Sequence, residues 1–158
     1  MAIAITLKQY LAKKGVDYDL VPHPRTPTSL AAAHAARVPD DRVAKSVILE
    51  DEQGFLMAVV PACHRVELGT LHHALHRNLG LATEPEVVAL FQDCEIGAIP
   101  AVGPAYGVPV IVDDSLTERP DIYFEAGDHR ELIHMDTRQF KKLLPRVMHG
   151  RFSHRAGA

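Results

Sequence analysis

The chain has 158 residues, 47% of them hydrophobic and 6% aromatic, with a formal net charge of −3 when histidines are neutral. That length fits a single domain whose core needs no disulfide or metal staple. The acidic balance excludes an extended basic surface for DNA or long RNA, while leaving contact with an RNA end open.

Thr6 to Lys14 is predicted as the first helix, with Leu7, Tyr10 and Leu11 on one face and Gly15 as its stop. Tyr18 to Val21 reads as a short strand, ended by Pro22-His23-Pro24. A second helix starts at Thr28 or Ser29, either a good N-cap, and runs to about Arg37. Val43 to Leu49 and Phe55 to Val60 read as an antiparallel hairpin around the polar turn Glu50–Gly54. Helices follow at Gly69–Asn78 and Glu84–Phe91, the second with Pro85 in its first turn. A Gly/Pro loop then runs to about Gly107, and Val108 to Val112 is a strand. Asp114 to Glu118 is a helical turn, and Ile122–Glu125 and Glu131–His134 are two more strands. Asp136 caps a last helix, Arg138 to Leu144. Strands and helices mix without βαβ alternation, so the expected fold is α+β with a mixed, mainly antiparallel sheet flanked by helices. Residues 1–145 are expected to form one domain, and residues 146–158 a loosely ordered tail.

The start of the chain reads as neither a signal h-region nor a membrane span, so a cytoplasmic protein is expected. Cys63 and Cys94 have no metal-ligand spacing and read as two buried thiols.

The apolar but punctuated run Gly97-Ala98-Ile99-Pro100-Ala101-Val102-Gly103-Pro104 can be neither helix nor central strand. It suits a stiff loop with bare backbone for close approach to a ligand, and a structural turn is its simpler reading. Lys45 stands inside the apolar strand Val43–Leu49 on the face shared with Val43 and Val47. If that face is covered, its ammonium requires a partner or ligand; if the strand frays, it reaches water. His129, between two strands, can position a substrate or relay a proton, or simply be an exposed loop residue. His72 and His76 are one helical turn apart, but no Glu follows His72 and no third ligand is evident, so a solvated flank is expected and no metal site. Cys63 and His64 are adjacent and would point to opposite faces of a strand, which argues against a nucleophile–base pair.

Four segments together resemble the YbaK/EbsC superfamily, free-standing relatives of the editing domain inserted in bacterial prolyl-tRNA synthetases. They are Val43–Leu49, Val59–Val66, Glu95–Gly103 and Phe124–His129. The resemblance implies a deacylase that removes a wrongly attached amino acid from tRNA, with no cofactor and no metal. It implies catalytic roles for Lys45, Gly97 and His129. It implies substrate contacts from Ser46, Ala98, Ile99, Pro100, Ala101, Gly103 and Gly127. In relatives the substrate itself helps to activate water, so no protein general base is obligatory. The implied partner is the 3′ end of an aminoacyl-tRNA, with a synthetase or an elongation factor as candidate helpers, and neither membrane nor DNA. One departure stands out: the family proline falls four residues after the glycine, where this chain has Ala101, and the proline here is Pro100. That shift motivates an alternative, a non-catalytic module that binds an aminoacyl-tRNA end, a nucleotide or another small ligand.

Overall fold

A computed structural model describes residues 3–156. The chain begins with α1 (Ile5–Lys14), β1 (Asp19–Pro22) and α2 (Ser29–Ala36). Thr28 caps α2 by accepting from the Ala31 N–H at 3.1 Å. A 3-10 turn at Asp40–Arg42 leads into the hairpin of β2 (Val43–Asp51) and β3 (Gly54–Pro61). Then come β4 (His64–Val66), α3 (Leu68–Leu75), β5 (Gly80–Leu81) and α4 (Glu84–Leu90). The second half holds β6 (Val110–Asp113), α5 (Asp114–Thr117), β7 (Asp121–Glu125), β8 (Glu131–Asp136) and α6 (Thr137–Leu143). Two short strands follow, β9 (Met148–Gly150) and β10 (Ser153–Arg155).

The main sheet runs β1-β8-β7-β2-β3-β6-β9, with β5 added beside β2 and a separate β10-β4 pair. The long ladders, β2–β3 and β7–β8, are antiparallel, whereas β2–β7, β3–β6 and β6–β9 are short parallel pairs. This is the expected α+β architecture. The unbroken apolar run of β3 has a simple cause. Met57 and Val59 enter the larger core with Leu7, Leu11, Phe124 and Phe140, while Leu56, Ala58 and Val60 enter a second core with Leu71 and Phe152. A strand covered on both faces has no polar alternation to show.

Two expectations need correction. The helix after Gly69 ends at Leu75, because His76 takes a left-handed backbone conformation, φ +53°. His72 and His76 therefore do not share a helical face, and His72 Nε2 is instead 2.6 Å from the Leu79 carbonyl. Residues 146–156 of the tail are not loose. Phe152 is only 2% exposed, its N–H donates to the Asp113 carboxylate at 2.9 Å, and the Ser153 hydroxyl donates to the same carboxylate at 2.8 Å. A single buried aromatic and one buried carboxylate anchor a segment whose composition otherwise reads as polar.

Candidate functional site

The site begins where the sheet splits. On its β7 side, β2 is paired only at Val43 and Ala44, and β5 meets it again at Leu49 and Glu50. Between those points, residues 45–48 meet no strand on that edge among the described residues. The loop at residues 95–103 crosses the gap, tied down where the Ser46 hydroxyl donates to the Ile99 carbonyl at 3.0 Å.

The gap is a cleft of about 320 Å³. Its polar rim is Thr28, Ser29, Lys45 and Ser46, the loop contributes Gly97 and Ile99, and Ile48 and Val87 are among its apolar walls. A second cleft of about 420 Å³ shares Thr28, Ser29 and Lys45 with the first and continues past His64, Arg65 and Arg155. Lys45 thus stands on the ridge between an apolar pocket and a basic one. Its ammonium donates to the His64 carbonyl at 2.5 Å. Burial draws the Lys45 pKa below the ordinary lysine value; Cys63 opposes that shift and Arg65 adds to it.

Gly97 is a glycine for two reasons. Its φ is +85°, and a Cβ there would stand 2.4 Å from the Pro27 carbonyl oxygen and 3.0 Å from His129 Cε1. The loop is further held by the Glu95 N–H to the Gly127 carbonyl, 2.9 Å, and by an Arg25–Glu95 ion pair. The Ala98 N–H is spent on the Glu95 carbonyl at 3.1 Å. No described residue accepts from the N–H groups of Gly97 or Ile99, the two loop residues that line the cleft.

Four of the expected residues, Lys45, Ser46, Gly97 and Ile99, meet at one cleft. The others do not line it. Ala98, Pro100 and Ala101 are buried, Ala101 in the main core. Gly103 opens the 3-10 turn Gly103–Tyr106 and has no room for a side chain, since a Cβ there would stand 2.4 Å from the Val108 carbonyl oxygen. Gly127 (φ +100°) packs against Ala4 and Cys94. His129 is 5% exposed and lies behind the loop, its Nε2 2.5 Å from the Ile96 carbonyl. The bond partner is a carbonyl, so Nε2 donates, and Nδ1 has no partner among the described residues.

Behind the loop lies a buried polar nest. His23 Nε2, Thr26 Oγ1, both Glu125 carboxyl oxygens, Asp128 Oδ2 and His129 Nδ1 all lack a hydrogen-bond partner among the described residues. The two segments that carry them are stitched together by the His23 N–H to the Arg130 carbonyl and the Thr26 N–H to the His129 carbonyl. Burial, reinforced by the Asp128 charge, pushes the Glu125 carboxyl up to about 8.

Sequence reasoning missed Thr28 and Ser29 as site residues, reading them only as caps. It also missed Arg155, which sat in the segment expected to be loose. Cys63, in the turn before β4, and Cys94 are both free thiols.

The profile described as the aminoacyl-tRNA editing domain matches residues 23–143, most of the chain. The protein belongs to that family. No curated protein sequence gives a significant match. Among solved structures, one similar chain is described as a candidate trans-editing enzyme for prolyl-tRNA synthetase. It is 24% identical over 96% of both chains, with a TM-score of 0.82. Hypothetical protein APE2540 is similar at 22% identity over 94% of this chain and 99% of that one, TM-score 0.82. A chain from Marinobacter aquaeolei VT8, described as a candidate signal-transduction protein, matches at 20% identity and TM-score 0.78, over 94% of this chain but 30% of its own. At these identities the likeness shows the fold. No helix among the described residues is long and apolar enough to cross a membrane.

Proposed function

We propose that the chain is a cytoplasmic trans-editing deacylase that hydrolyses the ester of a tRNA mischarged with a small amino acid. Alanine, serine, threonine and cysteine are the candidates. The observation that carries this reading is the position of Lys45 on the ridge between an apolar cleft and a basic cleft. An aminoacyl-tRNA end has the same division, a small side chain on one side of the ester and a phosphorylated ribose on the other.

In this reading the amino-acid side chain enters the cleft walled by Ile48, Val87 and Ile99. Water adds to the ester carbonyl, the carbonyl oxygen becomes an oxyanion, and collapse breaks the bond to the ribose oxygen. The free amino acid and the tRNA leave. The Gly97 and Ile99 N–H groups are the donors available to that oxyanion. Lys45 holds the ribose–phosphate side and adds positive charge beside the reacting ester. Among the described residues, no carboxylate or imidazole lines the apolar cleft. As the resemblance implies, water is activated with help from the vicinal ribose hydroxyl of the substrate. His129 positions the loop through Ile96 rather than serving as a base. A synthetase or an elongation factor would deliver the substrate.

The test is a panel of mischarged tRNAs treated with wild type and Lys45→Ala. Hydrolysis of at least one member, abolished in the variant, supports the reading; no hydrolysis, or equal hydrolysis by both, overturns it. The lack of a carboxylate or imidazole in the apolar cleft, among the described residues, also favours a second reading, a binding module for the same RNA end. Binding of an aminoacyl-adenosine analogue without turnover of any panel member would select it.

A further inference from the structure

The basic cleft is built in part by residues beyond the segment that the family profile matches. Strand β10 pairs antiparallel with β4 and sets Arg155 directly opposite His64. The His64 carbonyl in turn holds the Lys45 ammonium. The Ala156 N–H closes the same wall on the Cys63 carbonyl at 2.9 Å.

Charge is out of balance there. Lys45, Arg65 and Arg155 share the cleft with one carboxylate, Asp40, in a chain whose net charge is −3. Asp40 lies 3.5 Å from Arg155 and also faces His34 at 3.8 Å, so it does not neutralise the group. Arg155 is a weakly held guanidinium, its side chain 57% exposed, with Cys63 Sγ at 3.3 Å as its hydrogen-bond acceptor. Gathered cations with little counter-charge are a site for an anion, and a planar guanidinium fork suits a phosphate.

We propose that this cleft binds a phosphodiester at the 3′ end of the RNA, with Arg155 as its guanidinium fork and Lys45 as the second cation. The proposal rests on the reading that the substrate is an aminoacyl-tRNA. It makes the C-terminal strand pair part of the substrate site and turns the acidic chain locally into an RNA-end receptor.

The experiment compares two substrates, a mischarged tRNA and an aminoacyl-adenosine that has the same ester but no phosphate. For Arg155→Ala, the ratio of kcat/KM on the tRNA to kcat/KM on the adenosine ester falls about tenfold, through KM. Arg155→Lys restores part of it, and Asp40→Asn moves the ratio the opposite way. The salt dependence of log kcat/KM on the tRNA becomes shallower by roughly 0.7 in Arg155→Ala, one phosphate contact on a single strand. An unchanged ratio, or equal loss on both substrates, overturns the proposal. If wild type hydrolyses nothing, the deacylase reading falls alone. The phosphate site is then judged by fluorescence anisotropy with a short single-stranded RNA ending in CCA. Weaker binding by Arg155→Ala supports the site, and equal binding overturns it.

Discussion

The Nε2–H of His129 donates to the carbonyl oxygen of Ile96, and the same imidazole edge fills the space that a side chain on Gly97 would take. His129 therefore anchors the loop and, with the Pro27 carbonyl oxygen, crowds the position a Gly97 side chain would take. His129 itself has φ +61°, and its backbone is fixed by an Asx turn in which Asp128 Oδ1 accepts from the Arg130 and Glu131 N–H groups at 3.0 and 3.1 Å.

A positioning role and a base role for His129 make different predictions. His129→Ala releases the Ile96 carbonyl and lowers kcat/KM for deacylation by about tenfold, the scale of a lost buried hydrogen bond. The shape of the pH–rate profile between pH 5 and 8 does not change. Loss of an acid limb on removing His129 would show that the imidazole titrates in the reaction.

Gly97→Ala drives a Cβ into the Pro27 carbonyl at a left-handed position. The expected cost is about 1–3 kcal/mol, a fall in Tm of about 2–12 °C. Deacylation falls further than stability does, because the Gly97 and Ile99 N–H groups leave their places. Thermal unfolding and single-turnover hydrolysis on the same sample separate the two effects.

Glu125 gives a pH signature in stability. Its carboxyl is held near 8 by burial and by Asp128, well above the unfolded value. The folded state therefore keeps a proton that the unfolded state releases. The stabilisation is full below about pH 4.3 and is lost as pH rises through about 8. Denaturant unfolding should show this contribution shrinking across that window, on the order of a few kcal/mol in all. Glu125→Gln flattens that slope; an unchanged slope would mean that the carboxyl is ionised in the native state.

Lys45 should titrate early. Burial lowers its pKa, so the alkaline limb of deacylation, corrected for spontaneous ester hydrolysis, falls below the ordinary lysine value of about 10.4. Lys45→Arg, whose guanidinium stays charged, moves that limb upward even where it lowers the rate.

Phe152→Ala tests the anchoring of the C-terminal strands. It empties a fully packed position in the core shared with Leu56 and Leu71, at about 3–5 kcal/mol. Chemical unfolding measures the loss, and greater protease sensitivity around residues 146–156 should accompany it.

The sequence made some of this legible and hid the rest for physical reasons. Lys45 stood out because an ammonium inside Val43–Leu49 contradicts its surroundings. Gly97 stood out because glycine and proline punctuate an apolar run. Ser29 was hidden because a cap residue looks the same whether or not a cleft opens beside it. The Pro100 shift looked like a change in the ligand loop, yet Ala101 packs into the core, so the shift alters packing beneath the loop while Gly97 and Ile99 line the cleft. An exposed position was one open reading of His129 because turns between strands usually are exposed; it is buried, and residues 25–27, a hundred residues away, lie beside it, with the Thr26 N–H donating to its carbonyl. The tail looked loose because one Phe among arginines and histidines carries no periodic signal.

The β10–β4 pair has a practical consequence for anyone trimming this protein. Cutting back to residues 23–143 would keep Lys45, Gly97 and His129, and every motif by which the chain is recognised. It would also remove Leu7 and Leu11 from the main core, Phe152 from the second, and one wall of the basic cleft. The minimal recognisable segment is therefore smaller than the minimal working one, and a dead fragment of that length would say nothing about the intact chain.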